Sequence, residues 1–155
     1  MKSLLKLLCL SVFITQFSCG DSKKTEGVSY GKSTADNVPA SERVDLKNKG
    51  VGPITSVDLP LVVDNELAKT GEEIYGKLCI ACHLADEKFI GPPPKDILKR
   101  RTPEWVMNMI LNPEKMVKED PLAKDLLKEY NGSPMVSQNV TKDEARALLE
   151  YFRTL

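Results

Sequence analysis

Histidine and tryptophan each occur once in this chain of 155 residues, and aromatic residues make up only 6% of it. Any centre that needs two histidines from one chain is therefore excluded. An excess of charge is missing too, because 22 lysines and arginines face 22 aspartates and glutamates. No field of one sign is available to hold nucleic acid or an anionic membrane by charge alone. Internal repeats are absent as well, which excludes solenoids and propellers. With 41% hydrophobic and 28% charged residues, the remainder has the composition of an ordinary globular protein of one compact domain.

Residues 1–18 read as a secretory signal. Lys2 and Lys6 form a basic start, and Leu7, Leu8, Cys9, Leu10, Val12, Phe13 and Ile14 a short apolar core. The run is too short for a permanent span, which needs about 20 apolar residues. Ser18-Cys19-Gly20-Asp21 resembles a bacterial lipoprotein processing site, with Gln16 and Phe17 departing from its usual residues. The resemblance implies lipid on Cys19 and a chain held at the periplasmic side of a bacterial membrane. Residues 19–63 then read as the lipidated N-terminus and a flexible linker, rich in Gly, Ser, Thr and Pro and without apolar period. From Lys49 to Val63 the linker is apolar enough to lie along the domain in extended form.

The domain is expected over residues 64–155, and its signals are helical throughout. Asp64 or Asn65 caps a helix that carries Leu67, Gly71, Ile74, Tyr75 and Leu78 and runs into Cys79. Thr102-Pro103 opens a second, which stops at Asn112-Pro113, and Asp120-Pro121 opens a third, which ends near Asn131-Gly132. Thr141 and Glu144 form a capping box ahead of Ala145, Leu148, Leu149 and Phe152 in the fourth. An all-α domain of about four helices buries little surface, and chains this small often lean on a bound group.

Cys79-Ile80-Ala81-Cys82-His83 carries the chemistry. Two cysteines three apart with histidine next have the spacing of c-type haem attachment. The thiols add to vinyl groups on one porphyrin edge, and the adjoining imidazole then lies under the iron. A structural zinc would need four ligands, where the domain offers Cys79, Cys82 and His83. A thioredoxin-like dithiol shares the spacing but needs strands alternating with helices.

With these residues the chain resembles the small soluble monohaem cytochrome c family from about residue 64 to 155. Gly71 and Tyr75 look like the family's small and aromatic pair on the first helix, and Leu148 and Tyr151 like the residues of the last helix that meet them. Gly91-Pro92-Pro93-Pro94 looks like the family's Gly-Pro loop, which implies that the Pro92 carbonyl accepts the other N–H of His83 and orients the ring. Where the family has leucine, this chain has Pro94, so Ile97 or Leu98 would supply that contact. The resemblance further implies that Trp105, Arg100 or Arg101 donates to the haem propionates. For the two arginines a solvated basic run with Lys95 and Lys99 is an equal reading, and at the haem edge it could steer an acidic partner.

With no second histidine, the sixth ligand is Met, Lys, an amine, an exogenous molecule or nothing. Met107 and Met109 lie in the Trp105 helix, where at least one is expected to fill the core, and Met116 follows Asn112-Pro113 in a charged loop. Met135 lies between the third and fourth helices, where the family puts its methionine loop, and is the expected ligand. One haem c with His83 and Met135 on its iron implies a single-haem electron carrier and not an enzyme. The implied partners are a quinol-oxidising complex or other donor and a terminal reductase or oxidase. The wording from Arg100-Arg101-Thr102-Pro103-Glu104-Trp105 to Asn112-Pro113 resembles small cytochromes of respiratory and denitrification chains. The competing readings are a haem gas sensor or peroxidase with an open distal site, and a thiol-disulfide oxidoreductase using Cys79 and Cys82.

Overall fold

A computed structural model describes residues 38–155. Residues 1–18, Cys19 and the first part of the expected linker lie outside the described residues. The described residues form five α-helices: α1 (Asn65–Leu78), α2 (Pro103–Leu111), α3 (Pro113–Glu119), α4 (Pro121–Glu129) and α5 (Lys142–Phe152), with one 3-10 turn at Ile97–Lys99. Among the described residues there is no strand, only an isolated bridge between Asp45 and Arg101, and no helix long and apolar enough to cross a membrane.

The helix starts follow from local chemistry. Asp64 accepts from the amides of Glu66 and Leu67, Thr102 from that of Trp105, and Asp120 from that of Ala123. Thr141 and Glu144 form the reciprocal box that opens α5. Each such cap contributes roughly 1 kcal/mol. α3 is the helix that periodicity misses. Pro113 reads as a terminator, yet it occupies the first turn of α3 while Asn112 caps α2 behind it and α3 ahead. Proline suits that first turn because the missing N–H has no helical partner there. Met116 consequently sits on a helix and is fully buried, not in a charged loop.

α1 and α5 make the most extensive helix contact. A Cβ at Gly71 would lie 2.1 Å from the Ala147 carbonyl oxygen, so only glycine permits this approach of the two backbones. Tyr75 closes the crossing against Tyr151 and Phe152, with ring centroids 5.3 and 6.0 Å away. Aromatic pairs of this kind add about 0.5–1.5 kcal/mol each beyond the area they bury. Beside the crossing, Glu150 is fully buried. Its carboxylate accepts from Arg146 and Arg153, both at 2.6 Å, and from the Asp64 amide at 2.7 Å.

Residues 38–63 pack against the helices as a strap. Packing begins at Ala40, which is buried, ahead of Lys49. Ser41 binds Glu129, Arg43 pairs with Asp125 at 3.0 Å, and Asn48 donates to Asp120 at 2.7 Å. Further along, Asn108 donates to the Lys49 and Ile54 carbonyls and accepts the Ile54 amide, each at 2.9 Å. The Val51 amide donates to the Met116 sulfur at 3.0 Å. Polar side chains satisfying irregular backbone leave no hydrophobic period, which is why the pattern suggests a linker.

Candidate cofactor site

The end of α1 runs directly into the cysteine motif. Cys79 and Ile80 both donate to the Tyr75 carbonyl, and Cys82 and His83 to the Cys79 carbonyl at 3.0 and 2.9 Å. The turn therefore places both thiols and the imidazole at one helix end. The Tyr75 hydroxyl donates to the His83 carbonyl at 2.5 Å, tying the motif back to the helix crossing. Burial, followed by the charges of Tyr151 and Cys79, pushes the Tyr75 phenol up to about 12.

His83 is held from two further sides. The Pro92 carbonyl oxygen lies 2.7 Å from Nδ1. With Nδ1–H donated there, Nε2 is the nitrogen left with a lone pair for a metal. Gly91 supplies the floor: a Cβ there would stand 2.3 Å from His83 Cε1. The Gly91 amide also donates to the Cys82 carbonyl at 2.8 Å, so the glycine-proline loop is fastened to the motif it serves.

These residues open onto a cleft of two lobes, with cavity volumes of about 200 and 100 Å³. Cys79, His83, Pro92, Ile97, Trp105, Met109 and Met135 line both, and Cys82, Gly91 and Arg101 line the larger. The walls are mainly apolar, as a flat macrocycle requires. Burial, with Cys82 adding to it, pushes the Cys79 thiol up to about 11. A redox dithiol needs its attacking thiol shifted the other way, so this environment disfavours thiol-disulfide chemistry. No cluster of three or more His, Cys, Asp or Glu suited to a bare metal ion occurs among the described residues.

The methionines separate by position. Met107 is core and Met116 is sealed under the strap, so neither lines the cleft; Met109 and Met135 do. Met109 is a site residue that sequence reasoning underrates. Its signal is the i, i+4 register with Trp105 on α2. Leu126 on α4 and Tyr130, the residue that caps its C-terminal end, also line the larger lobe, as does Ser41 from the strap. Ile97 lines both lobes and Pro94 the smaller, whereas Leu98 lines neither.

Trp105 and Arg101 differ from the expected pair of propionate donors. Trp105 lies against the cleft, but its indole N–H donates to Asp120 at 3.2 Å, so that donor is already engaged. Arg100 donates to the Lys95 carbonyl at 3.2 Å and lines neither lobe. Arg101 is 1% exposed, with its guanidinium 5.3 Å from the Trp105 ring, and its Nε–H has no partner. Burial first, then Arg100, lowers its pKa to about 10, with Asp45 and Asp120 acting against the fall. A buried cation with a spare donor at the wall of the cleft suits a carboxylate on the bound group. Apolar walls, thiols, an oriented imidazole, thioethers and this arginine together fit haem c.

Comparison with known proteins agrees. The family model for cytochrome c matches residues 68–155. A cytochrome c from Rhodothermus marinus shares 40% sequence identity, with 75% of this chain and 92% of that one covered and a TM-score of 0.65. An engineered form of that protein, bound to a carbene intermediate, shares 39% identity over 75% of this chain and 93% of its own, with a TM-score of 0.62. No curated protein sequence matches significantly.

Proposed function

The chain belongs to the cytochrome c family, and from that premise we propose a membrane-tethered, single-haem electron carrier of the periplasm. The observation that carries this reading is the imidazole of His83, fastened by Pro92 and seated on Gly91 in a cleft that Cys79, Cys82 and Met135 also line. Cys79 and Cys82 would hold the haem through thioethers, and His83 and Met135 would ligate its iron. Bound there, the haem supplies a one-electron iron couple at a potential that a thioether ligand raises.

The chain's own part is to keep that couple closed and dry. Apolar walls exclude water, and a fixed imidazole limits the rearrangement that accompanies a change of charge. Leu78, Ile90 and Val136 line the cleft and remain exposed, giving an apolar rim at which a partner can approach closely. The proposed donors are a quinol-oxidising complex or an equivalent source, and the acceptors a terminal reductase or oxidase, including those of denitrification. Lipid on Cys19 would keep such encounters local to the membrane.

The test is production with periplasmic cytochrome maturation, followed by oxidised and reduced visible spectra of wild type and Met135→Ala. A far-red sulfur-to-iron band present in wild type and lost in the variant is expected. A high-spin wild type that binds carbon monoxide on reduction would overturn the carrier in favour of a sensor or peroxidase. Intact mass after denaturation reads the covalent haem, and Cys19→Ser should release the protein from membranes.

A further inference from the structure

The strap ahead of α1 does more than cover hydrophobic surface. Arg101 Nη1 donates to the Arg43 and Arg100 carbonyls, and Nη2 to the Ala40 carbonyl. Two of these three acceptors come from the strap. The guanidinium therefore keeps its place at the cleft only while the strap keeps its own. Ser41, between those two strap acceptors in sequence, is gripped through its amide and its hydroxyl by one carboxylate of α4. Its amide donates to Glu129 Oε2 at 2.8 Å and its hydroxyl to Oε1 at 2.5 Å. Arg43 adds its pair with Asp125, and the Asp45 amide donates to the Arg100 carbonyl at 2.9 Å. Ser41 and Arg101 both line the larger lobe, so the grip and the cation it serves adjoin the same cavity.

We propose that Glu129 is a positioning residue which, by holding the strap at Ser41, fixes Arg101 at the cleft and so raises the reduction potential of the bound haem. The inference rests on the electron-carrier reading above. A cation fixed in a region of low polarisability disfavours the more positive, oxidised iron. The same cation free in water is screened and loses most of that influence. Releasing the strap converts the first case into the second. The sign is diagnostic, because deleting the negative charge of Glu129 would by itself raise the potential. A fall in Glu129→Ala can come only through what Glu129 holds.

The experiment is potentiometric titration of the haem-loaded full chain for wild type, Glu129→Ala, Arg101→Gln, Arg101→Lys and the double variant Glu129→Ala/Arg101→Gln. Hydrogen exchange at the Ser41 amide is read alongside. Glu129→Ala should shift the midpoint potential down and speed exchange at Ser41. Arg101→Gln should shift it down further, and the double variant no lower than Arg101→Gln alone, since both act through one group. If Arg101→Gln fails to fold, Arg101→Lys takes its place. It keeps the charge without the fork that grips three carbonyls, and its potential should fall part of the way. A rise or no change in Glu129→Ala overturns the proposal, as do additive shifts in the double variant. A low-spin wild type with unmoved potentials sinks this inference alone, whereas a wild type without that spectrum sinks the carrier reading.

Discussion

The segment that carries His83 and the one that carries Met135 face the same cleft but are built to different standards. His83 is tied by Tyr75, Pro92, the Gly91 surface and the end of α1. Met135 lies between α4 and α5 in a loop with positive φ at Asn131, Gly132 and Asn139. The loop's hydrogen bonds are local: Gly132 to Leu127, Ser133 to Tyr130, Gln138 to Val136 and Asn139 to Ser137. A histidine tied through its backbone by Tyr75 and the end of α1, and through its ring by Pro92 and Gly91, is preorganised before any metal arrives, whereas a thioether on such a loop is held chiefly by packing. Reversible opening, where it occurs, therefore belongs to the methionine side.

Breaking the firmer side should have the greatest effect. His83→Ala should abolish the low-spin spectrum, because no second histidine exists to replace it. Met135→Ala should remove the far-red band and open one face of the iron while costing less than about 2 kcal/mol of stability, since the side chain is only half-buried. Met109→Leu should retain the band, which separates the two methionines of the cleft. Gly91→Ala tests the seat of the ring: a methyl 2.3 Å from His83 Cε1 should cost about 1–3 kcal/mol in denaturant unfolding and perturb the spectrum without erasing it.

The smallest change at the iron should come from Glu150→Gln, which loosens the start of α1 far along the helix from His83. Burial pushes the Glu150 carboxyl up, but hydrogen bonds from Arg153, the Asp64 amide and Arg146 more than offset it and hold the group below its ordinary value of 4.5. Its contribution is therefore present above that value and is lost as pH falls through the lower folded one. Acid unfolding of the variant should lack this component, as denaturation midpoints between pH 5 and 2 would show, and the visible spectrum at neutral pH should match wild type.

Much of the site was legible because it depends on contiguous residues. The cysteine motif, the glycine-proline loop and the capped helices α1, α2, α4 and α5 are written locally. So is α3, in hindsight. Thr102-Pro103, Asn112-Pro113 and Asp120-Pro121 each pair a capping residue with proline at a helix start, and the middle pair reads as a stop only because another helix precedes it. The Trp105 N–H could not be assigned from sequence, since Asp120 reaches it across two helix boundaries. Arg101 and Glu150 likewise owe their burial to residues far along the chain, the strap for one and the start of α1 for the other.

Asn108 does for the strap what an adjoining β-strand would do in a sheet. It meets the amide and carbonyl of Ile54 and the carbonyl of Lys49 through one side-chain amide. It thereby supplies the partners that a strand would have offered. Backbone groups satisfied in this way give another chain nothing to pair with at those positions. The domain can carry a long peripheral segment without that stretch becoming a template for aggregation, and Asn108→Ala should expose it to self-association, detectable by light scattering.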